Sequence, residues 1–279
     1  MSFARNGLGH DKLRKVAENE TFSCLLQPSA QELLADGYFH LRDHAVKGRW
    51  HERFGNANPI VLELGCGKGE YTIALAERDP SRNYIGVDIK GARLWKGAKY
   101  ATEHALPNVA FLRTRVEFIT AFFAPGEVSE VWLTFSDPQY RSENSRLCSP
   151  LFLERYRSFL KPGGIVHLKT DSRFLHEYAR AVCAVNKLRV FSCTQDLYTQ
   201  QVEVQPVVRE VQTFYEQLFL EQGYPITYLS FVIDHEGPFV SPRDPEEFDS
   251  KAWRAAEGPR LLFGHDSAET RRQKLHGEL

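Results

Sequence analysis

Short apolar runs and amphipathic stretches alternate along the chain from Pro59 onward. The apolar runs have the length of strands, and turn formers such as Pro107-Asn108 and Pro125-Gly126 separate them from the helical patterns. The pattern predicts strands near residues 60–65, 83–88, 109–114, 129–136, 164–170 and 226–233, and helices near residues 70–78, 91–105, 149–160, 173–187 and 207–222. Because strands and helices alternate, we expect an α/β fold with a doubly wound, mostly parallel, Rossmann-like sheet and an antiparallel C-terminal strand.

Composition divides the chain into three parts. Residues 1–58 form a basic N-terminal extension, residues 59–236 form the α/β domain, and residues 237–279 form a tail that is predicted to be partly irregular. The basic residues of the extension occur in two clusters, which are Lys12/Arg14/Lys15 and Arg42/His44/Lys47/Arg49/His51/Arg53. Such clusters are usually solvated faces, and contact with RNA is the alternative interpretation.

Composition also limits the class of protein. The chain has 279 residues, of which 42% are hydrophobic and 25% charged, as in ordinary globular domains. No apolar run has membrane-spanning length and the N-terminus lacks a hydrophobic signal core, so we expect no membrane partner. Five cysteines without a CxxC pair and ten scattered histidines favour a reducing cytoplasm and argue against a metal site. With a net charge of −1, any nucleic-acid binding must depend on local patches.

The strand-to-helix turn at residues 60–70, IVLELGCGKGE, carries the strongest chemical signal. Its three glycines at alternate positions, of which Gly65 and Gly67 are the first two, let the backbone approach a ligand closely. Asp88 ends the next predicted strand, where an acid binds a ribose in related folds. The GxGxG spacing and the carboxylate of Glu63 within the strand are poor for a pyrophosphate and suit a cationic nucleoside such as S-adenosylmethionine. An ordinary glycine-rich turn is the alternative.

Ligands of an open parallel sheet bind beyond the carboxyl ends of its strands. Three acids follow predicted strands in this chain, namely Asp88, Asp137 and Asp171. A carboxylate at such a position needs a partner, which favours a binding role. Farther along, Thr213 and Glu216 place a hydroxyl and a carboxylate three residues apart on one helical face. A helix capping box is the alternative interpretation of that pair.

These motifs in this order resemble the bacterial tRNA (guanine-N7)-methyltransferase family. The glycine loop alone is common to S-adenosylmethionine-dependent methyltransferases, whereas the order F-x-D-P, T-D and T-x-x-E singles out this family. The resemblance covers roughly residues 45–234. The resembling segments are LELGCGKGE at 62–70, GVDIK at 86–90, NV at 108–109, FSDP at 135–138, PLFL at 150–153, LKPGG at 160–164, KTD at 169–171 and TFYE at 213–216.

The resemblance implies S-adenosylmethionine as the cofactor and a Rossmann-like methyltransferase sheet as the fold. The cofactor-binding residues that it implies are Glu63, Gly65, Gly67, Asp88, Glu117 and Asp137. The family tends to place an acid near the adenine where this chain has Arg115, and an arginine cannot accept a hydrogen bond from the adenine amino group. Glu117 or the backbone would have to make that contact.

The resemblance also implies the residues that bind the substrate. Asp171, Thr213 and Glu216 would hold the guanine, and Arg141 stands where the family has a substrate-binding lysine, which keeps the charge and changes the geometry. We expect Asp171 and Glu216 to read the N1–H and amino edge of the base and Asp137 to be the catalytic residue nearest the transfer. The family modifies a guanine of the tRNA variable loop, position 46.

The reaction explains why the motifs contain no catalytic cysteine or histidine pair. Guanine N7 carries an in-plane lone pair and no proton, so it can attack the methyl group without a general base. The enzyme then contributes proximity and alignment. Carboxylates suit this task because they select guanine over adenine and favour the positive charge that the methylated purine acquires.

The predicted partner is tRNA, bound by a cytoplasmic monomer or weak homodimer. We expect phosphate contacts from Lys12, Arg14, Lys15, Arg49 and Arg141, and a solvated surface charge is the alternative for each. Two other functions stay open. One is a methyltransferase of the same fold acting on a small molecule or protein, which the near-neutral charge permits and the T-x-x-E motif disfavours. The other is a non-catalytic RNA-binding relative, which the thin basic run after F-x-D-P permits and the intact acids disfavour.

Overall fold

The computed structural model describes residues 5–37 and 40–257. The strands are β1 (Leu25–Leu26), β2 (Ile60–Leu64), β3 (Asn83–Asp88), β4 (Val109–Arg113), β5 (Val128–Thr134), β6 (Leu160–Thr170), β7 (Val190–Thr194) and β8 (Thr227–Val232). The α-helices are α1 (Arg5–Glu18), α2 (Ala30–Leu33), α3 (Trp50–Phe54), α4 (Glu70–Arg78), α5 (Gly91–Glu103), α6 (Pro150–Arg157), α7 (Arg173–Val185), α8 (Pro206–Glu210), α9 (Phe214–Glu221) and α10 (Ser250–Glu257). Short 3₁₀ helices cover Asn19–Thr21, Val116–Ala121 and Glu143–Ser145.

All of these strands form one sheet, in the order β1-β4-β3-β2-β5-β6-β8-β7. Strands β1 to β6 are parallel to one another, and β8 is antiparallel to β6 and to β7. The predicted doubly wound, mostly parallel fold is confirmed, and its antiparallel part is a pair of strands where the sequence predicts one. The order reverses between β2 and β5. Ligands bind at such a switch point, beyond the carboxyl ends of the strands.

The central strands are buried on both faces, which is why they appear in the sequence as continuous apolar runs. Alternate side chains of β2 enter different halves of the core, as the pleat requires. Leu62 and Leu64 pack in the half that contains side chains of α6 and α7. Val61 packs in the half that contains side chains of α4 and α5. The helices therefore cover both faces of the sheet and leave its carboxyl edge for a site.

The N-terminal part has more regular structure than the sequence predicts. Helix α1 packs against α5, where Nε1 of Trp95 donates a hydrogen bond to the Glu18 carboxylate at 3.0 Å. Strand β1 pairs with β4 in the register Leu25↔Phe111 and so forms an edge of the sheet. A strand of two residues has no alternation to detect, which explains why the hydrophobic pattern does not predict it.

The single helix predicted over residues 207–222 is wrong, because the segment forms two helices, α8 and α9. Between them Thr213 is extended, with φ −75° and ψ 162°, and its hydroxyl accepts a hydrogen bond from the backbone N–H of Glu216 at 3.2 Å. This is the geometry of an N-cap, so a second helix begins there. The edge strand β7 is also missing from the predicted elements.

Within the predicted C-terminal tail, residues 237–249 have no regular helix or strand, and residues 250–257 form α10. Phe239 and Phe248 are buried, and the rings of Phe174 and Phe248 meet edge to face with centroids 5.3 Å apart. Helix α10 packs against α7. Prolines and glycines indicate where the backbone turns, and they do not report whether the aromatic residues between them pack. The remainder of the tail, residues 258–279, lies outside the described residues.

Candidate active site

The glycine loop joins β2 to α4 at the switch point of the sheet. The N–H groups of Gly65 and Cys66 both bind the carbonyl of Val87, at 2.8 and 3.0 Å, which fixes the loop to β3. Gly65 and Gly67 have φ of +79° and +60°, and a Cβ at either position would meet no atom within 4 Å. The loop backbone therefore borders open space at both glycines, as the cradle of a ligand requires.

Asp88 lies at the end of β3, beside this loop. Its Oδ2 accepts a hydrogen bond from Gly67 N at 3.0 Å, and its Oδ1 accepts one from Lys90 N at 2.7 Å. The side chain is 8% exposed, so the two backbone bonds hold the carboxylate in a largely enclosed position. An ionised carboxylate has about four lone-pair sites and can still accept from further hydroxyl groups.

Glu63 is buried within β2, below the glycine loop. Its Oε2 accepts hydrogen bonds from the N–H and the hydroxyl of Thr72, at 2.8 and 2.5 Å, and its Oε1 accepts one from the hydroxyl of Thr134. Burial raises the pKa of Glu63 to about 7, although these hydrogen bonds favour the ionised form. The side chain therefore links β2, α4 and β5 beneath the open space. Its two threonine partners are not predicted by the sequence motifs.

The turn after β5 carries Asp137 at the rim of the sheet. Phe135 and Gln139, on either side of it, have φ of +50° and +48°, which side chains other than glycine rarely adopt. Oδ1 of the exposed Asp137 accepts a hydrogen bond from Gln139 N at 2.9 Å. Backbone strain of this kind is concentrated at functional sites, so the observed outliers support a role for the turn.

Asp171 follows β6, the strand next to β5. Thr134 and Lys169 are register partners, and Phe135 N donates to the carbonyl of Lys169 at 2.9 Å. Asp137 and Asp171 therefore leave neighbouring strands at the same edge of the sheet, as the sequence predicts for its strand-end acids. Asp171 is 8% exposed.

A fully buried ion pair lies behind this rim. Nζ of Lys169 is 2.8 Å from Oε1 of Glu216, and both side chains have 0% exposure. The same ammonium donates to the carbonyls of Val208 and Val211, at 2.7 and 2.9 Å, and the hydroxyl of Tyr198 donates to Oε1 of Glu216 at 2.5 Å. Burial lowers the pKa of Lys169 and raises that of Glu216, while their mutual attraction opposes both shifts. The pair holds α8 and α9 on β6.

The sequence predicts that Glu216 reads the edge of the guanine, and in the structure its side chain is enclosed. Oε1 of Glu216 is bound to Lys169 and Tyr198, and its Oε2 has no hydrogen-bond partner in the described part of the chain. Its backbone N–H binds Thr213, which is half of a capping box, and its side chain does not return to the N-cap. Lys169 is missing from the predicted site, although a lysine inside a central strand is a usable signal because lysine is rarely buried unless it is paired.

The start of α9 contacts the glycine loop directly. The N–H of Phe214 donates to the Glu70 carboxylate at 3.0 Å, and Nζ of Lys68 is 5.0 Å from the centroid of the Phe214 ring. The rings of Phe135 and Phe219 are stacked with centroids 6.1 Å apart. The glycine loop, the turn after β5 and the T-x-x-E segment, which are distant in sequence, thus meet at one rim.

The remaining predicted residues lie on either side of this rim. Glu117 is in the 3₁₀ helix after β4, where its Oε1 is 3.1 Å from Nη2 of Arg115. Arg115, with a side chain that is 50% exposed, therefore pairs with the acid expected at the adenine. Arg141 is exposed in the turn after β5 and has no ion pair with any residue of the described ranges.

Most of the basic residues predicted to contact phosphate are paired with neighbouring carboxylates. The pairs are Arg14 with Asp11 and Glu18, Lys15 with Asp11, and Arg49 with Glu52, at 2.6–2.9 Å. Such pairing is typical of a solvated charged face. The side chain of Lys12 lies outside the described residues.

Residues 5–37 and 40–257 contain no group of three or more histidine, cysteine, aspartate or glutamate residues placed to hold a metal ion. Within those same ranges, every helix is too short or too polar to cross a membrane.

Comparison with known proteins identifies the family. Residues 57–229 match a family model described as "Putative methyltransferase". The tRNA (guanine-N(7)-)-methyltransferase of Christiangramia forsetii is 49% identical over 226 residues, which are 80% of this chain and 98% of that protein. The enzyme of the same name from Bacteroides thetaiotaomicron is 49% identical over 205 residues, 73% of this chain and 81% of that protein. The crystal structure of the 16S rRNA methyltransferase KamB, at 16% identity and a TM-score of 0.50, covers 70% of this chain and 94% of its own and shares the fold. The chain therefore belongs to the tRNA (guanine-N7)-methyltransferase family.

Proposed function

We propose that this protein transfers a methyl group from S-adenosylmethionine to N7 of a guanine in tRNA. The observation that carries the proposal is the meeting of the glycine loop, Asp88, the Asp137 turn and the start of α9 at one rim of the sheet. The tRNA methyltransferases that are 49% identical to this chain support the choice of substrate and of reaction.

The residues of the glycine loop and β3 fit the donor. Gly65 and Gly67 border open space in which a nucleoside can lie against the backbone. The Asp88 carboxylate, with two of its lone-pair sites occupied by backbone N–H groups, can accept from ribose hydroxyls at the others. S-adenosylmethionine, when bound, supplies an electrophilic methyl group on a sulfonium. Glu63 and Asp137 would provide the negative charge that favours this cation, and Glu117 would lie toward the adenine.

We propose that Asp171 reads the edge of the guanine and that Asp137 lies nearest the methyl transfer. N7 needs no general base, so these residues act by orienting the base and by stabilising charge. A carboxylate accepts from the N1–H and the amino group of guanine, an edge that adenine does not offer. Thr213 would contact the base from the start of α9. Glu216 would act as a positioning residue, because it holds α9 through Lys169.

The finer features of the function are also proposals. Arg141, an unpaired cation at the rim among the described residues, is suited to a tRNA phosphate. The variable-loop guanine is the proposed target by family resemblance. All five cysteines are free, which supports a reducing compartment such as the cytoplasm. A monomer or weak homodimer is the proposed state, which light scattering in solution would measure.

Methyl transfer to unmodified tRNA tests the proposed function. The protein is incubated with methyl-labelled S-adenosylmethionine and bulk tRNA, and the RNA is then treated with borohydride and aniline, which cleave at N7-methylguanosine. Labelled tRNA that is cleaved at a single guanine supports the proposal. RNA binding without transfer would identify a non-catalytic relative, and transfer only to a small molecule or protein would identify a different substrate class.

Asp88→Asn is the control for the donor site. The change removes the charge of a carboxylate that would bind the ribose, so donor affinity should fall roughly tenfold to a hundredfold. Binding of tRNA should be unchanged. Equilibrium binding of S-adenosylhomocysteine and of tRNA measures the two effects separately.

A further inference from the structure

An exposed aromatic ring lies at the start of α9, beside the glycine loop. Phe214 is 51% exposed, although apolar side chains of this size are usually enclosed. Its backbone N–H binds the carboxylate of Glu70, the first residue of α4, at 3.0 Å. Thr213 also fixes the backbone here by capping α9. These backbone contacts of Phe214 and Thr213 therefore hold the ring at the entrance of the site.

A cation from the glycine loop accompanies this ring. Lys68 lies between Gly67 and Gly69, and its Nζ is 5.0 Å from the centroid of the Phe214 ring. Across the described ranges, Lys68 makes no ion pair with a carboxylate. An ammonium at this distance is attracted to the ring face. Lys68 thus lies over the Phe214 ring, and the Tyr215 ring meets it at a steep angle with centroids 5.7 Å apart. With half of its surface exposed, the Phe214 ring still offers area to a second planar group.

We propose that Phe214 is the stacking platform for the target guanine and that Lys68 contacts the phosphate of the same nucleotide. This inference rests on the proposed function. Bases taken out of a folded nucleic acid are held by stacking on aromatic side chains, in addition to hydrogen bonds at their edges. In this site the carboxylate of Asp171 would read the edge, and the Phe214 ring would supply the face.

The same ring favours the reaction that the site performs. Methylation at N7 leaves the purine with a positive charge, and an aromatic face attracts a cation more strongly than a neutral group. Stacking on Phe214 would therefore strengthen as the charge develops. The phosphate contact of Lys68 places its ammonium against an anion, which reduces its repulsion of the charged base.

Phe191 provides a matched control for Phe214. Its side chain is 55% exposed, and the guanidinium carbon of Arg189 lies 5.2 Å from the centroid of its ring. Phe191 is on β7, the edge strand, and β5, β6 and β8 lie between β7 and the strand that carries the glycine loop. The two residues thus share residue type, exposure and a neighbouring cation, and they differ in distance from the proposed site.

The test compares Phe214→Leu, Phe214→Trp and Phe191→Leu with the wild-type protein. Each protein is assayed for kcat and KM with unmodified tRNA and for the dissociation constant of S-adenosylhomocysteine. Phe214→Leu should lower kcat/KM for tRNA by about tenfold or more, the expected effect of losing one base–aromatic stack. Phe214→Trp should keep most of the activity, Phe191→Leu should match the wild type, and the affinity for S-adenosylhomocysteine should be unchanged in all of them.

Two results would overturn the assignment of Phe214. One is a Phe214→Leu variant as active on tRNA as Phe191→Leu. The other is a loss of S-adenosylhomocysteine affinity in proportion to the loss of activity, which would assign the ring to the donor. A wild-type protein that methylates no tRNA would be a different failure, because it would remove the proposed function and this inference with it.

The role of Lys68 has its own measurement. Lys68→Gln should lower the dependence of tRNA binding on salt by about one unit of slope in log Kd against log salt concentration, as the loss of one phosphate contact does. The affinity for S-adenosylhomocysteine serves as the control and should stay the same. An unchanged salt slope would overturn the phosphate contact.

Discussion

The two halves of the proposed site are held in place by different kinds of contact. The donor half, formed by the glycine loop and β3, is fixed through the backbone, as in the hydrogen bonds from the N–H groups of Gly65 and Cys66 to the carbonyl of Val87. The acceptor half, formed by the start of α9, is fixed by the side chains of Lys169 and Glu216, an ion pair with 0% exposure. Backbone contacts of this kind persist through most substitutions, whereas a buried ion pair depends on both of its members.

The difference indicates that the acceptor half can be disrupted while the donor half stays intact. Two charges removed from water are stabilised only by each other and by the polar groups around them. Loss of one member leaves the other charged and enclosed. We therefore expect variants of the pair to affect stability and tRNA turnover far more than donor binding.

Lys169→Met should have the largest effect, because it leaves the Glu216 carboxylate buried without its cation. The free energy of unfolding should fall by about 3–5 kcal/mol. The carbonyls of Val208 and Val211 also lose their donor, which weakens the attachment of α8. Urea denaturation measures the change.

The double variant Lys169→Met with Glu216→Leu is the matched control. Removing both charges should recover most of the stability, because a buried ion pair replaced by apolar residues is often neutral. Donor affinity should be normal and tRNA turnover low in this variant. A single variant as stable as the wild type would show that the pair does not hold the acceptor half.

Glu63 in the donor half should make stability depend on pH in a defined window. Burial raises its pKa from 4.5 to about 7, so its contribution is fully present below pH 4.5 and is lost as the pH rises through 7. The total loss should be about 3 kcal/mol. Glu63→Gln cannot titrate, so the difference in unfolding free energy between wild type and variant should change across this window. A difference that is constant from pH 4.5 to 8 would contradict the raised pKa.

The donor half could be predicted from the sequence because its contacts join residues that are close along the chain or at the ends of adjacent strands. Gly67 and Asp88, for example, are separated by a single helix and strand. The alternation of strands and helices was enough to place the strand-end acids at one edge. The same holds for Asp137 and Asp171, on neighbouring strands.

The acceptor half could not be predicted in the same way. The contact of Lys169 with Glu216 depends on the break between α8 and α9, which does not appear in the hydrophobic pattern. Glu216 therefore looks like a substrate contact in the sequence and is enclosed in the structure. The spacing of Thr213 and Glu216 fits both an N-cap and a binding motif, and spacing alone does not separate them.

Asp137 lies where the two halves meet. Substitution of Asp137 distinguishes an effect on methyl transfer from an effect on donor binding. Asp137→Asn keeps the shape of the side chain and can still accept from Gln139 N, while it removes the negative charge that favours the methylated purine. We expect kcat for tRNA to fall by about a hundredfold. The affinity for S-adenosylhomocysteine should stay close to that of the wild type. Full turnover with normal donor affinity would rule out Asp137 as the residue nearest the transfer.

The smallest effect should come from the surface cations. Among these, we expect an arginine that is not paired with a carboxylate to contact tRNA, and a paired arginine to be only solvated. Arg141→Gln should weaken tRNA binding slightly and reduce its salt slope by about one, because this exposed guanidinium is free of ion pairs with the described part of the chain. Arg49→Gln is the matched control, since Arg49 is 2.6 Å from the Glu52 carboxylate and its side chain is 61% exposed. That variant should leave both affinity and slope unchanged. Equal changes in the two variants would mean that carboxylate pairing does not decide which arginines meet the tRNA, and that the N-terminal cluster is part of the interface.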